Sequence, residues 1–291
     1  MKKLICILLL FLLSSCSSRQ AFKPDTAQIN VWQDVSEKLD FDIHSAAYLL
    51  ADLSNFRILY SDHADEPLYP ASLTKVLTLD TVLNLTDDLQ DTSRVSYQQV
   101  EDLIREDASL AYIQRDYDYT LEDLLYALIL PSGADAALAL ENYFTERGLD
   151  LVEEMNDQAA KLGCSNSHFI NSTGLHEDDH YMSLNDLFLI VMDALRFEDG
   201  RKILESIYHM TEDGIVLASS LRAVSFSDPV VLGGKTGYTP EAGQNIMILY
   251  RQNGRSYLLI LANAYGSYAN NEYWHFEDAI KIFDELYGYG L

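Results

Sequence analysis

Residues 70–75 read Pro-Ala-Ser-Leu-Thr-Lys, and the reading of this stretch decides the fold. Pro70 closes a loop, and a helix begins near Ser72 and runs on through Leu73, Val76, Leu77 and Leu79. Residues three apart share a helix face, so Ser72 and Lys75 stand side by side. A serine hydroxyl becomes a nucleophile when a base takes its proton, and a desolvated lysine amine is such a base. Free N–H groups at the helix start favour negative charge developing beside them. Taken alone, S-x-x-K is a common string whose bland reading is a capping serine and a solvated lysine. It gains weight from two later stretches, Ser132-Gly133 and Lys235-Thr236-Gly237.

On the N-terminal side, Ala46 to Leu53 is nearly all apolar and reads as a buried strand. Ser54-Asn55 turns the chain, and Phe56 to Tyr60 returns as the second arm of a hairpin. Further back, Val31 to Leu39 reads as a short helix after a polar stretch, 17–30. On the C-terminal side, 86–119 is polar and acid-rich with no strand pattern. Thr120-Leu121-Glu122-Asp123 reads as a capping box for a helix carrying Leu124, Leu125, Leu128 and Ile129. That helix stops at Pro131-Ser132-Gly133. Further helices are expected over 135–144, 151–162 (ended by Gly163) and 184–195.

Strands return at Val230 to Leu232, leading into Gly233-Gly234-Lys235-Thr236-Gly237. Ile246 to Tyr250 and Tyr257 to Ala262 flank Asn253-Gly254, a strong hairpin signal. Phe276, Ile280, Phe283 and Tyr287 mark a closing amphipathic helix. Strands at both ends with helices between give an α/β (α+β) expectation: one antiparallel sheet of about five strands, flanked by helices, with a mostly helical insertion at about 86–210.

The N-terminus is Met1-Lys2-Lys3, ten apolar residues from Leu4 to Leu13, then Ser14-Ser15-Cys16. This is a charged, then apolar, then small-residue pattern, that of a secretory leader over 1–15. The apolar run is too short to span a bilayer. Leu13-Ser14-Ser15-Cys16 also resembles a bacterial lipobox, which implies lipid attachment at Cys16 and a tether over 16–43 ahead of a catalytic domain at 44–291. Cys6 leaves with the leader, so Cys164 has no intrachain partner and reads as a small buried residue in a helix-end turn. The formal charge is −25, and loss of Lys2 and Lys3 makes the remainder more negative still. Such a field repels phosphate backbones and argues against a nucleic-acid partner.

Ser72-Leu73-Thr74-Lys75, Ser132-Gly133 and Lys235-Thr236-Gly237, in that order, resemble the three signatures of penicillin-recognising serine enzymes. Their flanks, "YPASLTKVLTL", "DLLYALILPSGADAALAL", "MNDQAAKLG", "HFINSTGL" and "GGKTGYTPEAGQN", resemble the low-mass D-alanyl-D-alanine carboxypeptidases over about 44–265. The resemblance implies a serine peptidase of the cell envelope that trims peptidoglycan stem pentapeptides, is inhibited by β-lactams and uses no metal or organic cofactor. It implies that Ser72 attacks the penultimate D-alanine carbonyl with Lys75 as base, two lysines in one cleft helping to keep Lys75 neutral. Ser132 relays a proton to the departing D-alanine. Lys235 and Thr236 bind the terminal carboxylate, and Gly237 lets the substrate backbone approach. The N–H groups of Ser72 and Tyr238 form the oxyanion hole. In place of the family's usual Ser-x-Asn this chain has Ser132-Gly133-Ala134, which puts rate and substrate preference in question. The stretch after Gly237, 238–291, has room to finish the sheet and one helix but not the extra β-rich domain of many relatives, so a Cys16 lipid takes over anchoring.

Other readings weigh less. His176-Glu177-Asp178-Asp179-His180 matches H-E-x-x-H in letters, but that zinc motif needs a helix carrying both histidines on one face. Gly174 precedes this run, aspartates fill it and no apolar face exists, so it reads as an acidic loop. Gly234-Lys235-Thr236 fails as a phosphate loop because the required earlier glycine falls on Pro229. A class A β-lactamase needs a glutamate in E-x-x-L-N, and Tyr181-Met182-Ser183-Leu184-Asn185 lacks it. A wall-binding lipoprotein of low turnover draws support from Ala134 only, against Ser72, Lys75, Ser132 and Lys235.

Overall fold

The structure is a computed structural model that describes residues 36–223, 230–266 and 268–288. The leader, Cys16 and most of the tether lie outside the described residues. The elements run β1 (Ala47–Asp52), β2 (Arg57–Asp62), a 3-10 turn (Ala71–Leu73), α1 (Thr74–Leu85), β3 (Thr92–Ser93), α2 (Tyr97–Arg105), β4 (Tyr119–Thr120), α3 (Leu121–Ile129), α4 (Ala134–Thr145), α5 (Leu151–Leu162), α6 (Leu184–Ala194) and α7 (Glu198–Leu204). Then follow β5 (Tyr208–Met210), β6 (Val216–Ala218), β7 (Val230–Thr239), β8 (Gly243–Gln252), β9 (Arg255–Ala264) and α8 (Trp274–Tyr287). The expected sheet is present, five antiparallel strands in the order β2-β1-β9-β8-β7.

Both faces of this sheet are covered, which explains why β1 reads as an unbroken apolar run rather than an alternating one. Leu49, Met247, Leu249, Leu258 and Ile260 face the large core shared with the helices. Tyr48, Leu50, Ile246, Ile248, Leu259 and Leu261 face a smaller core under α8. The β8–β9 turn is Asn253-Gly254, both at positive φ, as a two-residue primed turn demands. The buried stripe of α8 is His275, Asp278, Ala279, Ile282 and Phe283, one position off the expected Ile280. Asp278 belongs to it because its carboxylate accepts from His44 N, Ser45 N and Ser45 Oγ at 2.9, 2.7 and 2.6 Å.

Three expectations change. The described end of the proposed 31–39 helix is extended: Glu37 bridges Tyr60 in parallel, with Glu37 N donating to Leu59 O at 3.0 Å. The backbone groups on the open edge of β2 take it up. The polar stretch 86–119 contains α2, which opens with a full capping box between Ser96 and Gln99. Its apolar share is small because it buries only Val100 and Leu103. After α6 come the unforeseen α7 and the β5–β6 hairpin. Among the described residues no helix is long and apolar enough to cross a membrane.

Candidate active site

The site is built where β7 lies against the turn that starts α1. Ser72 sits in the 3-10 turn, half-buried, and Lys75 follows one turn later and is buried. Lys75 Nζ lies 3.1 Å from Ser72 Oγ and also donates to the backbone carbonyl of Thr173. The pairing read from the i, i+3 spacing is therefore made. Burial pushes the Lys75 ammonium down to about 7, with Asp135 pulling the other way. Lys235 is also buried, and its ammonium is held well below its usual range first by burial and then by Lys75. Desolvation is the first cause at both lysines, and the repulsion expected between them is present as a smaller one.

Lys235, Thr236 and Gly237 lie on β7, the edge strand, paired with Met247, Ile246 and Asn245 of β8. Lys235 is fully buried and donates to Thr236 O at 2.7 Å. Thr236 Oγ1 lies 2.6 Å from Ser220 Oγ. A methyl group on Gly237 would sit 2.9 Å from Pro70 O and 3.1 Å from Ser72 N. The glycine is thus required first by the chain's own serine turn. Gly174 presses on the same turn from the other side, where an added Cβ would lie 2.0 Å from Ala71 O. Between them Ala71 is held at φ +48°, a strained value for a residue with a side chain.

Ser132 stands at φ +67° between α3 and α4. Its Oγ is buried with no hydrogen-bond partner among the described residues, so it bonds neither lysine. Ala134 starts α4 and lines a cleft of about 470 Å³ together with Ser72, Lys75, Thr173, Tyr238 and Thr239. The cleft shares Glu106, Thr173, Leu175, Thr239 and Pro240 with an adjoining groove of about 850 Å³. Asp135 ties the Ser132 turn to the segment before it, accepting from Ala111 N at 2.9 Å and Ala136 N at 3.0 Å. Its carboxyl is pushed up by burial.

Two supporting residues were not anticipated. Asn245 donates to Tyr69 O and Pro70 O at 3.1 and 3.3 Å and accepts from Asn263 N at 2.7 Å, fastening the loop before Ser72 to the sheet. Its signal is a buried amide directly before the apolar run of β8 that starts at Ile246. Thr173, within the HFINSTGL stretch, meets Lys75 through its backbone carbonyl, so its residue type alone does not mark the contact. The H-E-x-x-H letters fall in a loop. His176 packs edge-on against Tyr69, while His180 is buried and bonded to Thr74. Cys164 is half-buried after the left-handed Gly163 cap, with its thiol pushed up by burial.

Comparison with known proteins agrees with this geometry. A family model described as D-alanyl-D-alanine carboxypeptidase, peptidase family S11, matches residues 33–265. The D-alanyl-D-alanine carboxypeptidase DacF of Bacillus subtilis is 26% identical over 246 residues, covering 83% of this chain and 61% of that protein. The D-alanyl-D-alanine carboxypeptidase of Streptomyces sp. strain K15 is 28% identical over 254 residues, 80% of this chain and 83% of that one. Among solved structures, a variant of the Streptomyces K15 DD-transpeptidase superposes with a TM-score of 0.73 at 25% identity, over 87% of this chain and all of that one. Penicillin-binding protein D2 of Listeria monocytogenes, in its ampicillin-bound form, gives 0.71 at 25% identity, over 85% of this chain and 98% of that one. The match spans 61% and 55% of the B. subtilis DacF and Escherichia coli DacD relatives. With its family model matched across the sheet and all three sequence signatures, the chain belongs to the D-alanyl-D-alanine carboxypeptidase family, peptidase family S11.

Proposed function

We propose that this protein is a serine D-Ala-D-Ala carboxypeptidase of the cell envelope that removes the terminal D-alanine of peptidoglycan stem pentapeptides. The observation that carries the reading is the buried Lys75 amine, lowered to about 7 and 3.1 Å from Ser72 Oγ. A neutral amine there takes the Ser72 proton as Oγ adds to the penultimate carbonyl. The N–H groups of Ser72 and Tyr238 receive the developing oxyanion. The proton taken up by Lys75 returns through Ser132 to the departing D-alanine amine as the peptide bond breaks. Lys235 and Thr236 hold the terminal carboxylate, and water then cleaves the acyl ester and restores Ser72. The adjoining groove leaves room for the acyl arm of the peptide. β-Lactams enter as carboxylate-bearing acylating mimics.

The finer assignments belong to the same proposal. Cys16 carries a lipid that holds the enzyme at the membrane, and the domain proper begins near 44. Ala134 favours one second reading, a stem-peptide binder that acylates and turns over slowly. Incubation with a pentapeptide ending in D-Ala-D-Ala tests the choice. Catalytic release of free D-alanine, lost in Ser72→Ala, supports the peptidase. Binding without release supports the second reading.

A further inference from the structure

A short hydrogen-bonded chain runs behind the nucleophile. Ile170 N donates to His180 Nδ1 at 3.2 Å. His180 Nε2 lies 2.8 Å from Thr74 Oγ1, and Thr74 Oγ1 donates to Ala71 O at 2.8 Å. The donors settle the direction. Nδ1 accepts, so the ring proton is on Nε2 and is given to Thr74, which gives its own proton to Ala71 O. Both side chains are buried, Thr74 at 0% and His180 at 2% exposure. Burial lowers the imidazole to about 4, with His168, His176 and Lys75 adding to the effect, so the ring stays neutral, as an accepting Nδ1 requires.

The last acceptor in this chain is the carbonyl of the Ala71–Ser72 peptide. A trans peptide is planar, with its C=O and N–H on opposite sides. Ala71 O also accepts from Thr74 N, so the Thr74 hydroxyl adds to a backbone bond in fixing this carbonyl, and with it the direction of the N–H of Ser72, which lines the cleft. We propose that His180 and Thr74 are positioning residues that hold the Ala71–Ser72 peptide plane, so that the Ser72 N–H is ready for the oxyanion before substrate arrives. The proposal rests on the acyl-transfer reading of the site and adds to it the device that sets the oxyanion hole. The surroundings fit a clamp. Ala71 is held at φ +48°. Met182 and Leu68 exchange backbone hydrogen bonds at 2.9 and 3.1 Å, tying the segment after His180 to the loop that enters the serine turn. The Phe169 ring stands edge-on to the imidazole at 5.5 Å.

The test compares Thr74→Val, which keeps the side-chain shape and loses the hydroxyl, with Thr74→Ser, which keeps the hydroxyl and loses the methyl. Each is made in the full chain, and acylation by a fluorescent penicillin is resolved into pre-acylation affinity and acylation rate, beside melting temperature. Loss of one oxyanion donor costs about 10²–10³-fold, and a donor left in place but mis-aimed should cost on the order of tenfold. We expect Thr74→Val to slow acylation by that amount with affinity kept, and Thr74→Ser to stay near wild type. His180→Leu should match Thr74→Val, and the double variant should be no slower than either, because one chain is being cut twice. Equal rates for Thr74→Val and Thr74→Ser, or effects of Thr74 and His180 that multiply, would overturn the clamp while wild-type acylation leaves the site reading standing. A folded wild type that is never acylated would instead overturn the site reading and the clamp with it.

Discussion

At the scale of single residues, the chemistry depends on which groups are kept uncharged. In the proposed mechanism Lys75 serves as base only while neutral, and burial brings it to about 7. Acylation by a penicillin should therefore rise with pH through an inflection near 7 and level off above it. Below the inflection the ammonium has no lone pair to offer. A profile flat from pH 5 to 9 would remove Lys75 from the role. Its replacement by Ala should cost about 10²–10⁴-fold, the usual share of a positioned base. Ala134 bears on the rate in another way. Its methyl lines the cleft beside Ser72 and Lys75, at the position where the resembled Ser-x-Asn signature would put an amide. Ala134→Asn should raise D-alanine release on the order of tenfold, the effect of one hydrogen bond to substrate of about 1.4 kcal/mol. A fall in rate would show that the cleft is shaped around the methyl. The Ser72–Lys75 pairing was legible from spacing alone, because a helix places i and i+3 together. Thr173 was not, since the group that meets Lys75 is its backbone carbonyl, while its hydroxyl bonds Asn171 and Leu175 within its own turn.

At the scale of elements, the apposition of β7 with the serine turn decides geometry. A Cβ at 237 would come within 2.9 Å of Pro70 O. Gly237→Ala should push the strand off the turn, at about 1–3 kcal/mol of stability and a larger loss of acylation. Lys235 on the same strand gives an opposite stability signature. Its ammonium is disfavoured in the fold, so the folded protein binds fewer protons there than the unfolded chain. Stability at this site is reduced as pH falls below the ordinary lysine value of 10.5. Lys235→Met should raise the melting temperature at pH 7, with a gain that shrinks toward pH 10.5, while weakening penicillin acylation. A lower melting temperature at pH 7 would show that its bond to Thr236 O outweighs desolvation. Elements were legible where a local rule is strong. Asn253-Gly254 marked a hairpin, Gly163 ended a helix in the left-handed conformation, and Thr120 capped α3. Helix α2 was missed because its apolar face is two residues wide, although Ser96 and Gln99 carried its start signal. The β5–β6 hairpin leaves Tyr208, Met210 and Val216 exposed, so no buried alternation announced it.

At the scale of the whole molecule, the sheet joins two cores and the cleft lies at its β7 edge, where the helices meet the strand. Long-range polar ties keep that arrangement in register, and these were the least legible part. Asn245 and Asp278 read as ordinary polar positions beside Gln244 and Glu277 until their partners are known, and those partners lie some 176 and 234 residues away. Asp278→Ala would strand two backbone N–H groups, those of His44 and Ser45, and should destabilise by roughly 3 kcal/mol, read as a lower urea midpoint with unchanged slope. A change under about 0.5 kcal/mol would mean that water replaces the carboxylate. The site itself is the point on which everything converges, and one measurement tests it most directly. The intact mass of the folded protein is taken after incubation with a penicillin, beside Ser72→Ala. An acyl-enzyme mechanism predicts one covalent adduct, mapping to Ser72 and absent from the variant. A folded protein that forms no adduct, or one whose adduct survives Ser72→Ala, would contradict it.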